Sequence, residues 1–408
     1  MEQMREPKNM NTSATAEKNS VVQTGKTAYA NGNKVPNVPP LRFPEFTDEW
    51  KETTIGIIAT VVGGGTPDTT QKENWDGNIL WYTPSEIGKE KYVSNSARRI
   101  TTIGLKKSGA KLLPKGTILL TSRATIGECS IALHECTTNQ GFQSLIANPA
   151  VNNEFLFYLI SSKRKELLKR ACGSTFLEIS ANEVRKIKVK SPSIEEQNKI
   201  GFLLSLIDER IATQIKIIED LEQLKSAISK KLFSENKPKL HLSDIADVIM
   251  GQSPSSSSYN EKCIGLPLVQ GNLDIENGKT VPRFYTSEIT QVARIEDILL
   301  TVRAPVGEVA ITEEDICIGR GVCAICPKNI EDKEFIYQYL IYYKPLWSKL
   351  EQGSTFTAVS GKEIKNITLS IPREVSILTD IDEKIAVEKK IAYLLHKQKQ
   401  CLLRQMFI

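Results

Sequence analysis

Apolar residues first gather at Leu41, where LRFPEF opens a stretch in which aromatic and charged side chains alternate. Residues 1–40 carry no Leu, Ile, Phe or Trp and are rich in Asn, Thr, Lys and Pro. Such a segment cannot bury enough apolar area to offset its ordering entropy, so a disordered tail is expected there. Beyond it, short β-branched runs at 55–62 and 117–121, bounded by Gly, Pro, Asn and Ser, predict strands. Helical spacing follows at 153–170 and again at 332–350. Two longer stretches step alternately by four and three residues, the seam of a coiled coil. The first runs Ile200, Leu204, Ile207, Ile211, Gln214, Ile218, Leu221 and Lys225, after Pro192 and a capping box of Ser193 with Glu196. The second runs Leu378, Ile381, Ile385, Glu388, Ala392, Leu395, Lys399 and Leu402. Its polar breaks fall in the same registers as those of the first, which predicts that the two helices face each other.

The chain also repeats itself. Residues 118–131 read ILLTSRATIGECSI and residues 298–311 read ILLTVRAPVGEVAI, with nine of fourteen positions identical. The same offset of 180 carries Gly141 onto Gly321, and GSTF at 173–176 onto GSTF at 353–356. Upstream the offset is 187; downstream it is 174, where Ile207, Asp208 and Glu209 fall on Ile381, Asp382 and Glu383. A tandem duplication accounts for this. The expected architecture is mixed α/β: two similar domains separated by two long antiparallel helices forming a coiled coil, with pseudo-twofold symmetry. The tail occupies 1–40, the first domain 41–193, its helix 194–236, the second domain 237–373 and the last helix 374–408.

Composition narrows the function. With 408 residues, 40% of them hydrophobic, and a net charge of +5, the chain suits two or three soluble domains and is not a strong polycation. Its longest apolar stretches, such as FLFYLI at 155–160, fall far short of the roughly 18 residues a membrane span needs. The start lacks the features of an export signal, and eight cysteines are too dilute for a disulfide scaffold, so a reducing cytoplasm is expected.

A search for reactive constellations finds none. Six residues separate Gly271 from Gly278 in the stretch ending GKT, where a phosphate-cradling loop needs four. Cys323 and Cys326 form the single CxxC, but their counterparts in the first copy are Gln143 and Ile146, as for ordinary strand residues. The three histidines, His134, His241 and His396, are scattered. No catalytic or metal-ligating set is therefore assigned.

What remains are polar, glycine-rich loops at equivalent places. In the first copy they carry Gly64, Gly65 and Thr66; Ser122 and Arg123; Asn139 and Gln140. In the second they carry Gln252 and Ser253; Arg303; Arg320. Arg, Gln and Asn make two-point hydrogen bonds to base edges, and Ser, Thr and glycine N–H groups suit phosphates. Double-stranded DNA is the expected ligand. The copies diverge over 68–116 and 255–297, so an asymmetric, interrupted target is predicted. A nuclease or methyltransferase with a degenerate active site, and a coiled-coil adaptor without DNA specificity, stand as alternatives.

With LRFPEF at 41–46, GGTP at 64–67, LTSRATIG at 120–127, TNQGF at 138–142, GSTF and PSIEEQNKI at 192–200, the sequence resembles the specificity subunit of type I restriction-modification enzymes over residues 41–408. The resemblance implies two target-recognition domains, each reading half of a bipartite DNA sequence. It further implies that the paired helices dock two methyltransferase subunits and that motor-nuclease subunits join the complex. S-adenosylmethionine, ATP and Mg²⁺ are implied for those partners and not for this chain. The second copy departs from the pattern, with Gly319 and Arg320 in place of Asn139 and Gln140, and Pro305 in place of Thr125.

Overall fold

The computed structural model describes residues 37–173, 177–233, 239–350, 358–370 and 375–408, with backbone alone at 348–350. These fall into two compact units: the residues up to Glu209 together with His396–Ile408, and Arg210–Leu395.

In the first unit β1 (Lys51–Thr54) leads through α1 (Ile55–Ile58) into β2 (Ala59–Gly63). The stretch 55–62 is thus not one strand. Ile55 and Ile58, three apart, share the buried face of a single helical turn before the chain extends. There follow β3 (Trp75–Tyr82), β4 (Tyr92–Val93), β5 (Arg98–Ile100), α2 (Thr102–Lys106), β6 (Ile118–Leu120), β7 (Cys129–Ala132), β8 (Cys136–Thr138) and β9 (Gln143–Ala147). The helix expected at 153–170 is two, α3 (Asn153–Ser162) and α4 (Arg164–Arg170). They part at Lys163, whose N–H bonds Ile160 O, three residues back, at 3.0 Å. Then come α5 (Ala181–Arg185), β10 (Lys188–Ser191) and the 39-residue α6 (Ile194–Leu232), whose residues up to Glu209 belong to this unit and the rest to the second.

The second unit repeats the plan: β11 (Lys239–His241), α7 (Leu242–Ile245), β12 (Ala246–Met250), β13 (Tyr259–Asn260), β14 (Leu266–Val269), β15 (Ile275–Glu276), β16 (Lys279–Thr280), β17 (Phe284–Thr286), β18 (Val292–Ala293), β19 (Ile298–Thr301), β20 (Val309–Ile311), β21 (Ile316–Ile318), β22 (Val322–Pro327), α8 (Asp332–Leu350), α9 (Gly361–Lys365), β23 (Thr368–Ser370) and the 31-residue α10 (Ser376–Met406), whose residues from His396 on belong to the first unit.

Sheet topology carries the duplication. The order β2-β9-β6-β7 in the first unit, which continues into β4, matches β12-β22-β19-β20 in the second, which continues into β16 and β15. The antiparallel pair β1-β10 matches β11-β23. The parallel pair β3-β8 matches β14-β21. The divergent segments appear as different elaborations of that last sheet: three strands, β5-β3-β8, against five, β13-β17-β14-β21-β18. In the first, Trp75 and Trp81 meet edge to face, and the Arg98 guanidinium lies 3.5 Å from the Trp75 ring centroid.

Each unit has its own core. Phe407 closes the first against Trp50 and Phe155; Phe233, at the matching position, closes the second against Phe335, Tyr339 and Tyr342. The seam residues Ile200, Leu204, Ile207, Ile211, Leu378, Ile381, Ile385 and Leu395 are buried, and Ile218, Leu221 and Leu402 are half-buried.

The polar breaks in the seam are bonded. In the second unit Gln214 donates to Glu388, and Lys225 pairs with Asp382 at 2.6 Å, so α6 and α10 run antiparallel there. In the first unit Lys399 pairs with Asp208 at 2.5 Å. These two ion pairs are equivalents, because Lys225 and Asp382 correspond to Lys399 and Asp208. Each aspartate also receives a hydrogen bond from its own domain: Tyr158 to Asp208 at 2.6 Å, and Gln338 to Asp382 at 2.9 Å. Ser205 to Glu154 at 3.0 Å and Thr379 to Glu334 at 2.7 Å repeat the pattern. A long helix therefore faces both its mate and its domain.

Two expectations need correction. Residues 37–40 are not part of a tail: Asn37 O accepts the Trp50 N–H at 2.8 Å and Pro39 is buried. The capping box is half made. Ser193 accepts the Glu196 N–H at 3.3 Å, but the Glu196 carboxylate turns to Arg42 at 2.8 and 2.7 Å and to the Trp50 indole N–H at 3.2 Å. A buried indole N–H and a guanidinium need an acceptor more than a helix start does. Residues 1–36 of the expected tail, residues 174–176 of the first GSTF and all of the second lie outside the described residues.

Candidate nucleic-acid interface

Strand ends gather the loops. The N–H of Gly65, beyond β2, bonds Thr138 O at 2.8 Å; the N–H of Ser122, beyond β6, bonds Gly141 O at 2.7 Å. The equivalent bonds in the second unit run from Gln252 to Ile318 O at 3.0 Å and from Val302 to Gly321 O at 2.9 Å. The segments expected to touch DNA thus converge at one end of each main sheet.

Their residues divide by depth. Gly64 and Gly65 are packing glycines: a Cβ on Gly64 would lie 2.1 Å from Asn139 O, and one on Gly65 2.3 Å from the Gly109 carbonyl carbon. Gly251 meets the same constraint, 2.2 Å from Gly319 O. Ser122 is buried, so its hydroxyl faces the interior and not a ligand. Asn139 uses its side-chain oxygen on the Gly141 N–H at 2.8 Å, shaping the turn that exposes Gln140. Thr66, exposed, donates to Gln140. In the second unit the same pair of positions is Ser253 and Arg320, joined by Arg320 N–H to Ser253 Oγ at 3.1 Å.

The arginine turn is built from inside. Buried Thr121 donates to Thr125 O at 2.6 Å, closing TSRAT and leaving Arg123 at the tip; Thr301 donates to Pro305 O at 2.9 Å and does the same for Arg303. The Ala304–Pro305 peptide is cis. Each arginine sits opposite one residue of a following strand segment, Glu178 for Arg123 and Ala358 for Arg303. Arg123 accordingly forms an ion pair with Glu178 at 2.9 Å. In the second unit Ser253, Arg303 and Arg320 line one cleft of about 250 Å³ with Gln270, Gly271 and Asn272. Gln252 lies beside it, exposed.

Glu178, Gln270 and Asn272 escaped the sequence reading. Glu178 could have been found, since offset 180 sets it against Ala358. Gln270 and Asn272 lie in the divergent segment, where no constant offset guides the eye.

Among the described residues no cluster of three or more His, Cys, Asp or Glu side chains could hold a metal ion. No described helix is long and apolar enough to cross a membrane. Cys323 and Cys326 lie within strand β22, and burial pushes the Cys323 thiol up to about 12.

A doubled α/β unit with a long helix after each copy, and with divergent polar loops at matching strand ends, defines a class of two-part sequence readers. Comparison with known proteins gives the family. The profile of the type I restriction modification DNA specificity domain matches residues 47–223 and again 235–396, and the chain belongs to that family. It is 30% identical over 399 residues to the type I restriction enzyme MjaX specificity subunit of Methanocaldococcus jannaschii, covering 88% of this chain and 89% of that one. To the MjaIX specificity subunit of the same organism it is 40% identical over 194 residues, which is 47% of this chain and less than half, 45%, of that relative. A solved chain, described under complex assembly and conformational transition of the type I restriction-modification system, superposes with a TM-score of 0.61 at 25% identity, covering 87% of this chain and 96% of that one. The S subunit from M. genitalium shares the fold, with a TM-score of 0.59 at 19% identity over 91% of this chain and 99% of that one.

Proposed function

We propose that this chain is the sequence-reading component of a type I restriction-modification complex. Each domain reads one half of an asymmetric, interrupted DNA target, and the paired helices dock two methyltransferase subunits, with motor-nuclease subunits joining them. S-adenosylmethionine, ATP and Mg²⁺ serve those partners, and the chain itself performs no chemistry. The observation that carries the reading is the pair of equivalent loop clusters on one framework whose loop residues differ: Gln140 against Arg320, Thr66 against Ser253. Equal frames with unequal tips suit two different half-sites. Side chains of this kind read base edges and grip phosphates.

The test is a domain exchange. Residues 41–193 are replaced by those of another family member, and methylated adenines in host DNA are mapped by single-molecule sequencing. One half of the split motif changes and the other persists. If both halves stay as they were, or both change, the modular reading fails. Ile207→Asp places a charge in the seam and is expected to abolish co-purification with the methyltransferase subunit; unchanged co-purification removes that role from the helices.

A further inference from the structure

The two arginine turns are built alike, yet their electrostatics differ. Arg123 faces Glu178 and is neutralised at 2.9 Å. Arg303 faces Ala358, and among the described residues neither its guanidinium nor that of Arg320 has a carboxylate partner. Both line the cleft of about 250 Å³, whose other polar groups are Ser253, Gln270 and Asn272. The one carboxylate on the cleft's own loop, Asp274, is buried and already engaged by the Gln270 N–H at 2.9 Å and by Arg283 at 2.7 Å. The equivalent of Arg320 in the first unit is the neutral Gln140.

A concave site with two uncompensated guanidinium groups suits a group that projects from its carrier and bears negative charge. A base edge lies recessed in a groove and calls for a protruding reader; a phosphate projects from the duplex and fits a hollow. We propose that the Arg303–Arg320 cleft grips a backbone phosphate of the DNA, so that the second domain's loop cluster supplies a salt-dependent contact that the first domain's cluster lacks. The inference rests on the DNA-reading function and adds to it an unequal division of labour between the copies.

The experiment measures binding of the full-length chain to a duplex carrying its target and to a scrambled duplex, by fluorescence anisotropy between 50 and 200 mM salt. One phosphate contact contributes about 0.9 to the slope of log K against log salt, roughly a 3.5-fold change in affinity over that range. Arg303→Ala with Arg320→Ala lowers the slope by about that amount on both duplexes, and Arg303→Lys with Arg320→Lys largely restores it. Ala358→Glu, which copies the native arrangement of the first unit and so threatens folding least, also lowers the slope. Glu178→Ala frees Arg123 and leaves the slope unchanged or steeper. An unchanged slope in the double alanine variant, or a loss confined to the target duplex, overturns the proposal, the latter by assigning the arginines to base edges. Failure of the DNA-reading function itself shows differently: the unaltered chain then fails to prefer the target duplex, whatever its salt dependence.

Discussion

Glu196→Ala should destabilise the first unit more than any surface substitution. The Glu196 side chain is 1% exposed and that of Arg42 13%. Three hydrogen bonds end on the carboxylate, two from Arg42 and one from the Trp50 indole. Its loss leaves a desolvated guanidinium, still bonded to Asp48 O at 2.6 Å, and an indole N–H without an acceptor. Breaking one side of a buried ion pair costs about 3 to 5 kcal/mol, and the remaining Asp48 contact argues for about 3. For a unit of this size that is a fall of roughly 6 to 12 °C in its melting transition, measured by calorimetry on the full chain. Replacing both partners, Arg42→Met with Glu196→Met, removes the stranded charge and should recover most of the loss. A fall below about 1 kcal/mol for Glu196→Ala, or a double variant no better than the single one, would show that the pair does not anchor residues 41–50.

Three further outcomes are expected. Gly64→Ala drives a Cβ into Asn139 O and should cost about 1 to 3 kcal/mol, with amide exchange quickening in the loops around Thr66 and Gln140; unchanged exchange would mean the loop shifts freely. At pH 8 iodoacetamide should label exposed Cys172, Cys263 and Cys401, while Cys129, Cys136 and Cys323, each pushed up to about 12 by burial, stay unlabelled in mass spectra until the protein unfolds. Lys384, and then Gln214, hold the Glu388 carboxyl below its ordinary value of 4.5. Its contribution is therefore complete above pH 4.5 and disappears as pH falls through the lower folded value, so Glu388→Gln should flatten the acid limb of the stability curve; identical limbs would exclude it.

The self-match at offset 180 anticipated much of this architecture, because framework strands such as 118–120 and 298–301 must keep the same burial pattern to pack the same way. The loop tips were visible for the same reason. Charge partners were not. Asp208 and Asp382 stand one residue beyond the seam positions Ile207 and Ile381, so a periodic reading passes over them, although long lysine side chains reach them easily. The single turn at 55–58 was hidden because four residues are too few to separate a helical period from an alternating one. Burial of Ser122 likewise depends on residues distant in sequence: its N–H bonds Gly141 O, and its carbonyl accepts from Ile179.

Gln214 and Glu388 are the same position in the two copies, and they meet each other. Were two second halves to associate, this spot would hold two carboxylates; were two first halves, two amides. A carboxylate opposite an amide is the combination only unlike halves can offer. That single divergence favours the unlike pairing and disfavours two second halves, whose carboxylates would repel, while two first halves would still pair amide to amide.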